Sequence, residues 1–489
     1  MKKLYFLLFF TAVLAFSCSK DSLLDDGPGY DRFPDKSACK VKDRVIKVYP
    51  GDNLATAFEN AKALGKGSVV KLMPGVFKIG WTEIREFNGT FTGSGKGVSI
   101  ITNLPDLDAA ELTSLNKIPA LITFIGGDVT VSKMSVQLSE GLDWLGTVNM
   151  SMLLFSDYTA DFVPAKRCIN VNLDNIDLTG LLIPDVELWP GGPKVGIPYT
   201  NFHGAMLVPD KLSDIVPITR SNINIIVSNS SFENFDFGLY AHGCGRGNLA
   251  FGILGKNTFS GNNCGLRVNE NIGVNVKIMN NTFNTPQYYG SCLDLNTGEE
   301  AYSGTKQFED IGVNPGTYYV INNTFNVSGW IAIGMMDTWR KVHTDNPTWM
   351  KMIIQNNTFN LSGGGGIIDF YCAKNVLFSN NTIIGDGSMA GFYVENFWWE
   401  PTTEYNISEG VKIINNLTSN VSIDFWFWCA NNCLLMGDLR DFVINDFGEN
   451  NKIIDFNKTN NILGETKKSL SEDGFLIQAQ SRKNWIFVK

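Results

Sequence analysis

The five letters NNTFN occur three times in the chain, at 280–284, 322–326 and 356–360. Looser copies surround them: NSSFEN at 229–234, KNTFSGN at 256–262, NNTII at 380–384 and NNLTSN at 415–420. Aligning the aromatic position places Phe232, Phe259, Phe283, Phe325 and Phe359 in one column, continued by Ile383, at steps of 27, 24, 42, 34 and 24 residues. A floor of 24 with longer steps above it is what one structural unit per step gives, with loops inserted into some units. No other feature constrains the fold as tightly. A unit this short cannot bury its own apolar face, so it must stack on its neighbours.

Short apolar strands precede the copies, as in INIIVSNSSF, VNVKIMNNTF, TYYVINNTF and MKMIIQNNTF. Strands stacked in register lie about 4.8 Å apart. An Asn at the same corner of each coil then meets its own copies, and its amide can donate and accept along the stack. Asn also tolerates the left-handed backbone that such corners need. The Asn is expected to be a structural rung and the Phe to fill the core. Reading N-x-T as a glycosylation acceptor is the weaker alternative.

Composition fits this picture. The 489 residues are 44% hydrophobic and 18% charged, with 48 Gly and 12% aromatics, a balance that suits an all-β extracellular protein. The net charge of −9 argues against a nucleic-acid partner, which would need a basic face.

The chain opens MKKLYFLLFFTAVLAFSCSKDSLLDDGPG. Two lysines precede an apolar run from Leu4 to Phe16, too short for a membrane span and typical of a secretory leader. Ala15-Phe16-Ser17-Cys18 resembles a bacterial lipoprotein cleavage box, and SKDSLLDD resembles the acidic export signals of Bacteroidetes surface lipoproteins. The resemblance implies a signal peptide over 1–17, lipidation of Cys18, a tether over 18–40 and a domain over 41–489. It also implies an exported outer-membrane lipoprotein exposed at the cell surface. A lipid-modified Cys anchors a protein without spanning the membrane. A monomer is expected. Eight cysteines remain. Cys244/Cys264 and Cys429/Cys433 are candidate disulfides, and buried free thiols are the alternative. No CxxC pair occurs, which argues against zinc.

Near the N-terminus, Leu54, Ala57, Phe58, Ala61 and Leu64 mark one face of a helix over about 53–64. Asp52 or Asn53 can cap it and Gly65 can stop it. The strands SVVKLM and GVFKIG follow, split by Pro74-Gly75. A solenoid needs such an end cap. The amphipathic helix with its PG turn resembles the cap of right-handed parallel β-helix proteins, the pectin-lyase-like superfamily. The resemblance covers roughly 45–460, with the clearest coils at about 220–430. It implies an all-β fold, a single-stranded right-handed parallel β-helix solenoid with an N-terminal amphipathic capping helix.

A second set of strands aligns downstream of the Asn corners: GLYAH (238–242), GLRVN (265–269), CLDLN (292–296), AIGMM (332–336), IIDFY (367–371), GFYVE (391–395) and SIDFW (422–426). Positions two and four are apolar and should point inward, leaving three and five outward. Position three reads Tyr240, Arg267, Asp294, Gly334, Asp369, Tyr393, Asp424. Position five reads His242, Asn269, Asn296, Met336, Tyr371, Glu395, Trp426. In pectin-lyase-like enzymes this strand lines the substrate groove, so the resemblance points here for substrate contacts.

Long connections at 297–316, 337–350 and 396–409 leave these strands and carry Tyr302, Trp339, Trp349, Trp398, Trp399 and Tyr405. Long loops in compact architectures are commonly functional. Flat aromatics stack on the C–H faces of sugars, and carboxylates and amides bind hydroxyls. Polysaccharide is therefore the expected partner. A hydrolase needs two carboxyls, about 5–5.5 Å apart for retention or about 6.5–9.5 Å for inversion. Asp294 and Asp369 lie two coils apart, about 10 Å in ideal stacking. A lyase needs a base and a cation beside a uronate, for which Arg267 with His242, helped by Glu270, would serve. Arg267 and Asp294 as a plain cross-coil ion pair is the rival reading. A Ca²⁺ site from Asp294, Glu299 and Glu300 is a further option, with solvated loop charges as its rival. Arg246, Arg267, Arg340 and Lys341 are the cations available to an acidic glycan, few enough that a neutral glycan fits as well.

The polygalacturonase set NTD, GDD, GHG and RxK is absent, as are the Asp cluster and RxPxxR of pectate lyases. No known mechanism carries over residue by residue. The expectation is a polysaccharide-engaging surface protein, acting as a lyase or glycoside hydrolase, or else as a non-catalytic glycan-binding, adhesive or structural protein.

Overall fold

The computed structural model describes residues 44–457, apart from 116, 140–141, 157–168, 208–222, 243–249, 270–274, 287–289, 297–316, 337–350, 372 and 396–407. Cys18 and the loop aromatics Trp339, Trp398 and Trp399 lie outside the described residues, as do Glu270, Glu299 and Glu300.

Parallel pairing dominates. One hydrogen-bonded system holds 23 strands and a second holds 12. Among the described residues the exception is the antiparallel pair Leu182–Glu187 and Lys194–Pro198. Each coil contributes one strand to the twelve-strand sheet, and within the 23-strand system the coil's other strands run in two lines. The long strands Val129–Gln137 and Ile169–Thr179 pair across both lines. Parallel strands joined coil by coil in this way form a parallel β-helix, right-handed as such crossovers are.

The capping helix spans Leu54–Ala63. Asn53 caps it by accepting from the Thr56 amide at 2.9 Å. Gly65, at φ +92°, follows the last turn. Leu54, Ala57, Phe58 and Ala61 are buried, and Phe58 makes edge contacts with Phe87, Phe91 and Phe124. Among the described residues no helix is long and apolar enough to cross a membrane.

The NNTF repeat divides its work between two residues. The first Asn of each pair takes the left-handed backbone, with φ of 59° at Asn280 and 56° at Asn322 and Asn356. The second Asn is buried and forms the rung. Asn257, Asn281, Asn323, Asn357, Asn381 and Asn416 link in series, each amide nitrogen donating to the next side-chain oxygen at 2.8–3.1 Å. From Asn323 to Asn416 that same oxygen also accepts a backbone amide from the preceding coil. The neighbouring Phe column stacks face to face. Ring centroids are 4.8 Å apart for Phe232–Phe259, then 4.9, 5.2 and 4.9 Å along to Phe359.

Cys264, Cys292, Cys429 and Cys433 carry free thiols. The Cys429/Cys433 disulfide does not form, Cys264 is unbridged while Cys244 lies outside the described residues, and the alternative of buried thiols holds for Cys264, Cys292 and Cys433. Burial pushes the Cys433 thiol up to about 12 and raises those of Cys264 and Cys292.

Candidate functional site: the outer face of the twelve-strand sheet

The register aligns position three as expected from Tyr240 to Arg267, Asp294, Gly334, Asp369 and Tyr393. Position five follows the same register from His242 through Asn269, Asn296, Met336, Tyr371 and Glu395. The side chains of His242, Asn269 and Asn296 lie outside the described set.

The last step differs by two residues. Tyr393 pairs with Trp426, and Asp424 pairs with Gly391. Asp424 therefore leaves the position-three column and Trp426 replaces it. Trp426 in turn leaves position five, where Trp428 continues the strand beyond Glu395 by donating its amide to Val394 O. The physical reason is the longer strand Met389–Glu395, which adds a pair at its start.

The first position also differs from strict alternation. A Cβ on Gly238 would meet the rings of Phe232 and Phe259, and one on Gly265 would meet Phe259 and Phe283. This column faces the core. The residue before it, Phe237 or Cys264 on successive coils, lies with the position-three side chains. The Arg267 guanidinium sits over the Phe237 ring at 5.1 Å, and Tyr240 lies 5.4 Å from that ring. Reading the strands as simple alternation missed this row. A Gly column at 204, 238 and 265 was its signal, since a glycine repeated at one register position marks close backbone approach.

Extending this row one coil upstream brings in His203, which pairs with Phe237 in the register and stacks on its ring at 5.2 Å. His203 is only 2% exposed. Its Nε2 lies 3.4 Å from Asn149 Oδ1, which makes Nε2 the protonated nitrogen. Nδ1 is then a buried acceptor with no hydrogen-bond partner among the described residues. Burial, with a contribution from the Arg267 charge, lowers its pKa to about 3. Nearby Asp236 accepts from Asn263 Nδ2 at 3.0 Å and from the Asn201 amide at 2.7 Å. Burial nonetheless raises its carboxyl above the ordinary range.

Arg267 and Asp294 form the cross-coil ion pair, Nε to Oδ2 at 3.3 Å, with side chains 18% and 27% exposed. Two coils on, the Tyr371 hydroxyl donates to Asp369 at 3.1 Å. Glu395 is 4% exposed, so its carboxylate is not offered to solvent. Beyond it, Trp426 and Trp428 stack at 5.8 Å with Phe447 beside both.

Toward the N-terminal end the same face becomes apolar. Ile118, Ala120, Leu154 and Met206 form their own buried cluster, with Tyr240 against it. A cleft of about 440 Å³ opens there, rimmed by Glu83 and Lys117 and walled by Trp81 and Leu112. Burial raises the Glu83 carboxyl, but hydrogen bonds from Lys117 and Arg85 outweigh it and leave the pKa lowered. Among the described residues, no group of three His, Cys, Asp or Glu side chains is placed to hold a metal ion.

No protein-family model matches the sequence, and no curated protein sequence matches it. Solved structures do resemble it in outline. The A-module of the Azotobacter vinelandii mannuronan C-5 epimerase AlgE6 aligns at 12% identity, over 82% of this chain and 89% of that one, with a TM-score of 0.44. The catalytic unit of the GH87 α-1,3-glucanase of Streptomyces thermodiastaticus aligns at 14% identity, over 86% and 69%, with a TM-score of 0.38. PfbA, a surface adhesin of Streptococcus pneumoniae, aligns at 12% identity, over 82% and 87%, with a TM-score of 0.32. With TM-scores of 0.44 and below, none of these likenesses transfers a reaction or a ligand to this chain.

Proposed function

We propose that the outer face of the twelve-strand sheet binds an extended polysaccharide laid along the solenoid axis. One observation carries this reading: the register holds Tyr240, Arg267, Asp294, Gly334, Asp369, Tyr393 and Trp426 in one line on successive coils. A line with flat rings toward its two ends and hydrogen-bonding groups between them suits a chain that repeats C–H faces and hydroxyls. It does not suit a polyphosphate, which needs a run of cations. The loop residues Trp339, Trp398 and Trp399 would extend the contact. The leader and Cys18 would hold the protein by a lipid at the outer membrane, as a monomer facing outward.

A catalytic version has one observation in its favour, the Nδ1 of His203, which has no hydrogen-bond partner among the described residues and feels the charge of Arg267. With a pKa near 3 this nitrogen is a weak base. Buried as it is, it also offers no open path to a ligand, so it is a poor candidate to abstract a carbon-bound proton. Elimination would draw on Arg267 to neutralise a uronate. Hydrolysis would draw on Asp294 and Asp369, which stand two strand spacings apart, about 10 Å and at the far edge of the inverting range.

The test is a panel of neutral and acidic polysaccharides, cast in affinity gels and incubated with the protein in parallel. Retardation in at least one gel, lost in Tyr240→Ala or Asp294→Ala, is the expected result. Unsaturated or reducing-end products that disappear in Asp294→Ala would add turnover. Unretarded migration in every gel would sink the reading.

A further inference from the structure

We propose that Trp426, Trp428 and Phe447, with Asp424 and Asn445, form a terminal subsite that holds one neutral pyranose ring; the proposal rests on the polysaccharide reading of this face. Residues 424 and 426 alternate along the strand Ser422–Phe427, so their side chains share one side of the sheet, and Trp428, just past its end, stacks on Trp426. Both indoles are half-buried, with centroids 5.8 Å apart and planes 30° from parallel. Phe447 closes the group at 5.6 Å from Trp426 and 5.5 Å from Trp428.

The polar partners make this more than an apolar patch. Trp426 Nε1 donates to Asp424 Oδ1 at 2.8 Å, which fixes the indole plane. Asn445 Nδ2 reaches the same oxygen at 3.2 Å. Both bonds fall on Oδ1, so Oδ2 remains for a ligand hydroxyl. A ring of fixed orientation beside a carboxylate edge offers a pyranose one surface for its C–H face and one acceptor for a hydroxyl.

Charge selects the class of sugar. In the strands Gly366–Tyr371, Met389–Glu395 and Ser422–Phe427 the ionisable acidic and basic side chains are Asp369, Glu395 and Asp424, with no Lys or Arg among them. A uronate placed here would face Asp424, with Asp369 further along the sheet and no counter-charge on these strands, and like charges oppose binding. A neutral hexose carries no such penalty.

The test titrates the full chain with neutral hexasaccharides of α-glucose, β-glucose and β-mannose, and with oligogalacturonate of the same length, following tryptophan emission. Affinity gels of the parent polysaccharides run alongside. At least one neutral probe should shift the emission, and Trp428→Ala or Asp424→Asn should weaken its binding about tenfold or more. On the unmodified protein, the same probe should shield Trp426 and Trp428 from N-bromosuccinimide, read by peptide mass spectrometry, which does not depend on the variants folding. Tighter binding of oligogalacturonate, or no shielding by any probe, overturns the subsite. If a gel still retards the protein in that case, the groove reading stands without this subsite; if no gel does, both fall.

Discussion

Each coil presents two very different columns to its neighbours. At one corner the same residue recurs: Asn257, Asn281, Asn323, Asn357, Asn381 and Asn416 repeat one set of hydrogen bonds. On the outer face of the twelve-strand sheet the column changes chemistry at nearly every step, from Leu154 and Met206 through Arg267 and Asp294 to Tyr393 and Trp426. The difference follows from what each column must satisfy. The corner is dry, so every coil faces the same unpaired amides and the same answer serves each time. From Tyr240 to Trp426 the column is partly exposed, so stacking makes little demand on residue type there, and variation reflects something outside the protein.

Breaking the uniform column should cost the most. Asn323 accepts from the Asn281 amide at 3.0 Å and from the Asn281 side chain at 3.1 Å, and it donates to Ile278 O at 2.8 Å and to Asn357 Oδ1 at 3.1 Å. Asn323→Ala strands several buried groups at once, each worth about 1–3 kcal/mol. A loss of about 4 kcal/mol or more is expected in urea unfolding. A loss under about 1 kcal/mol would mean that water or backbone movement replaces the rung.

The next largest effect comes from the outer row itself, where His203 is buried and neutral. Its pKa is about 3 in the folded chain against about 6.5 unfolded. As pH falls below 6.5 the unfolded chain takes up a proton that the folded chain refuses, so stability is lost toward acid until about pH 3. Between pH 7 and 5 the loss is about 2 kcal/mol. Arg267 and Asp236 face the same region; the raised Asp236 carboxyl works in the opposite sense, nearer the carboxylate range. His203→Phe keeps an aromatic ring against Phe237 and leaves Asp236 in place. The difference between the two proteins' pH slopes isolates the imidazole, and equal slopes would show that His203 titrates normally.

The repeat made the fold legible because a column of identical residues can be aligned without knowing which face it occupies. Position three was legible over six coils for the same reason. It failed where the alignment assumed equal strand lengths, at Asp424 and Trp426, since a strand that starts earlier moves the register unseen. His203 was missed because alternation cannot see the bend that turns Gly238 and Gly265 to the core and brings the preceding residue out. The two roles of the NN pair were merged because both suit asparagine; only the backbone angles and burial separate them.

That separation sets up a smaller effect within one corner. Asn322 sits at φ 56° and is exposed, beside the buried rung at Asn323. Asn322→Gly should be nearly neutral, because glycine adopts this backbone freely. Asn322→Val should cost about 1–2 kcal/mol for the left-handed conformation alone. Equal costs for Gly and Val in urea unfolding would mean that the first Asn also contributes through its side chain.

The smallest stability effect is expected in the middle of the groove. Asp294→Asn keeps an oxygen for Arg267 to donate to and removes only the charge from a pair whose side chains are 18% and 27% exposed. Solvent screens such a pair, so the stability change should be under about 1 kcal/mol. Binding should behave oppositely. If the varied column is shaped by a ligand, this substitution should reduce polysaccharide retardation while leaving the melt almost unchanged, whereas Asn323→Ala should lower the melt steeply. An Asp294→Asn protein that loses several kcal/mol yet binds as before would reverse the comparison and make the outer column a second structural ladder.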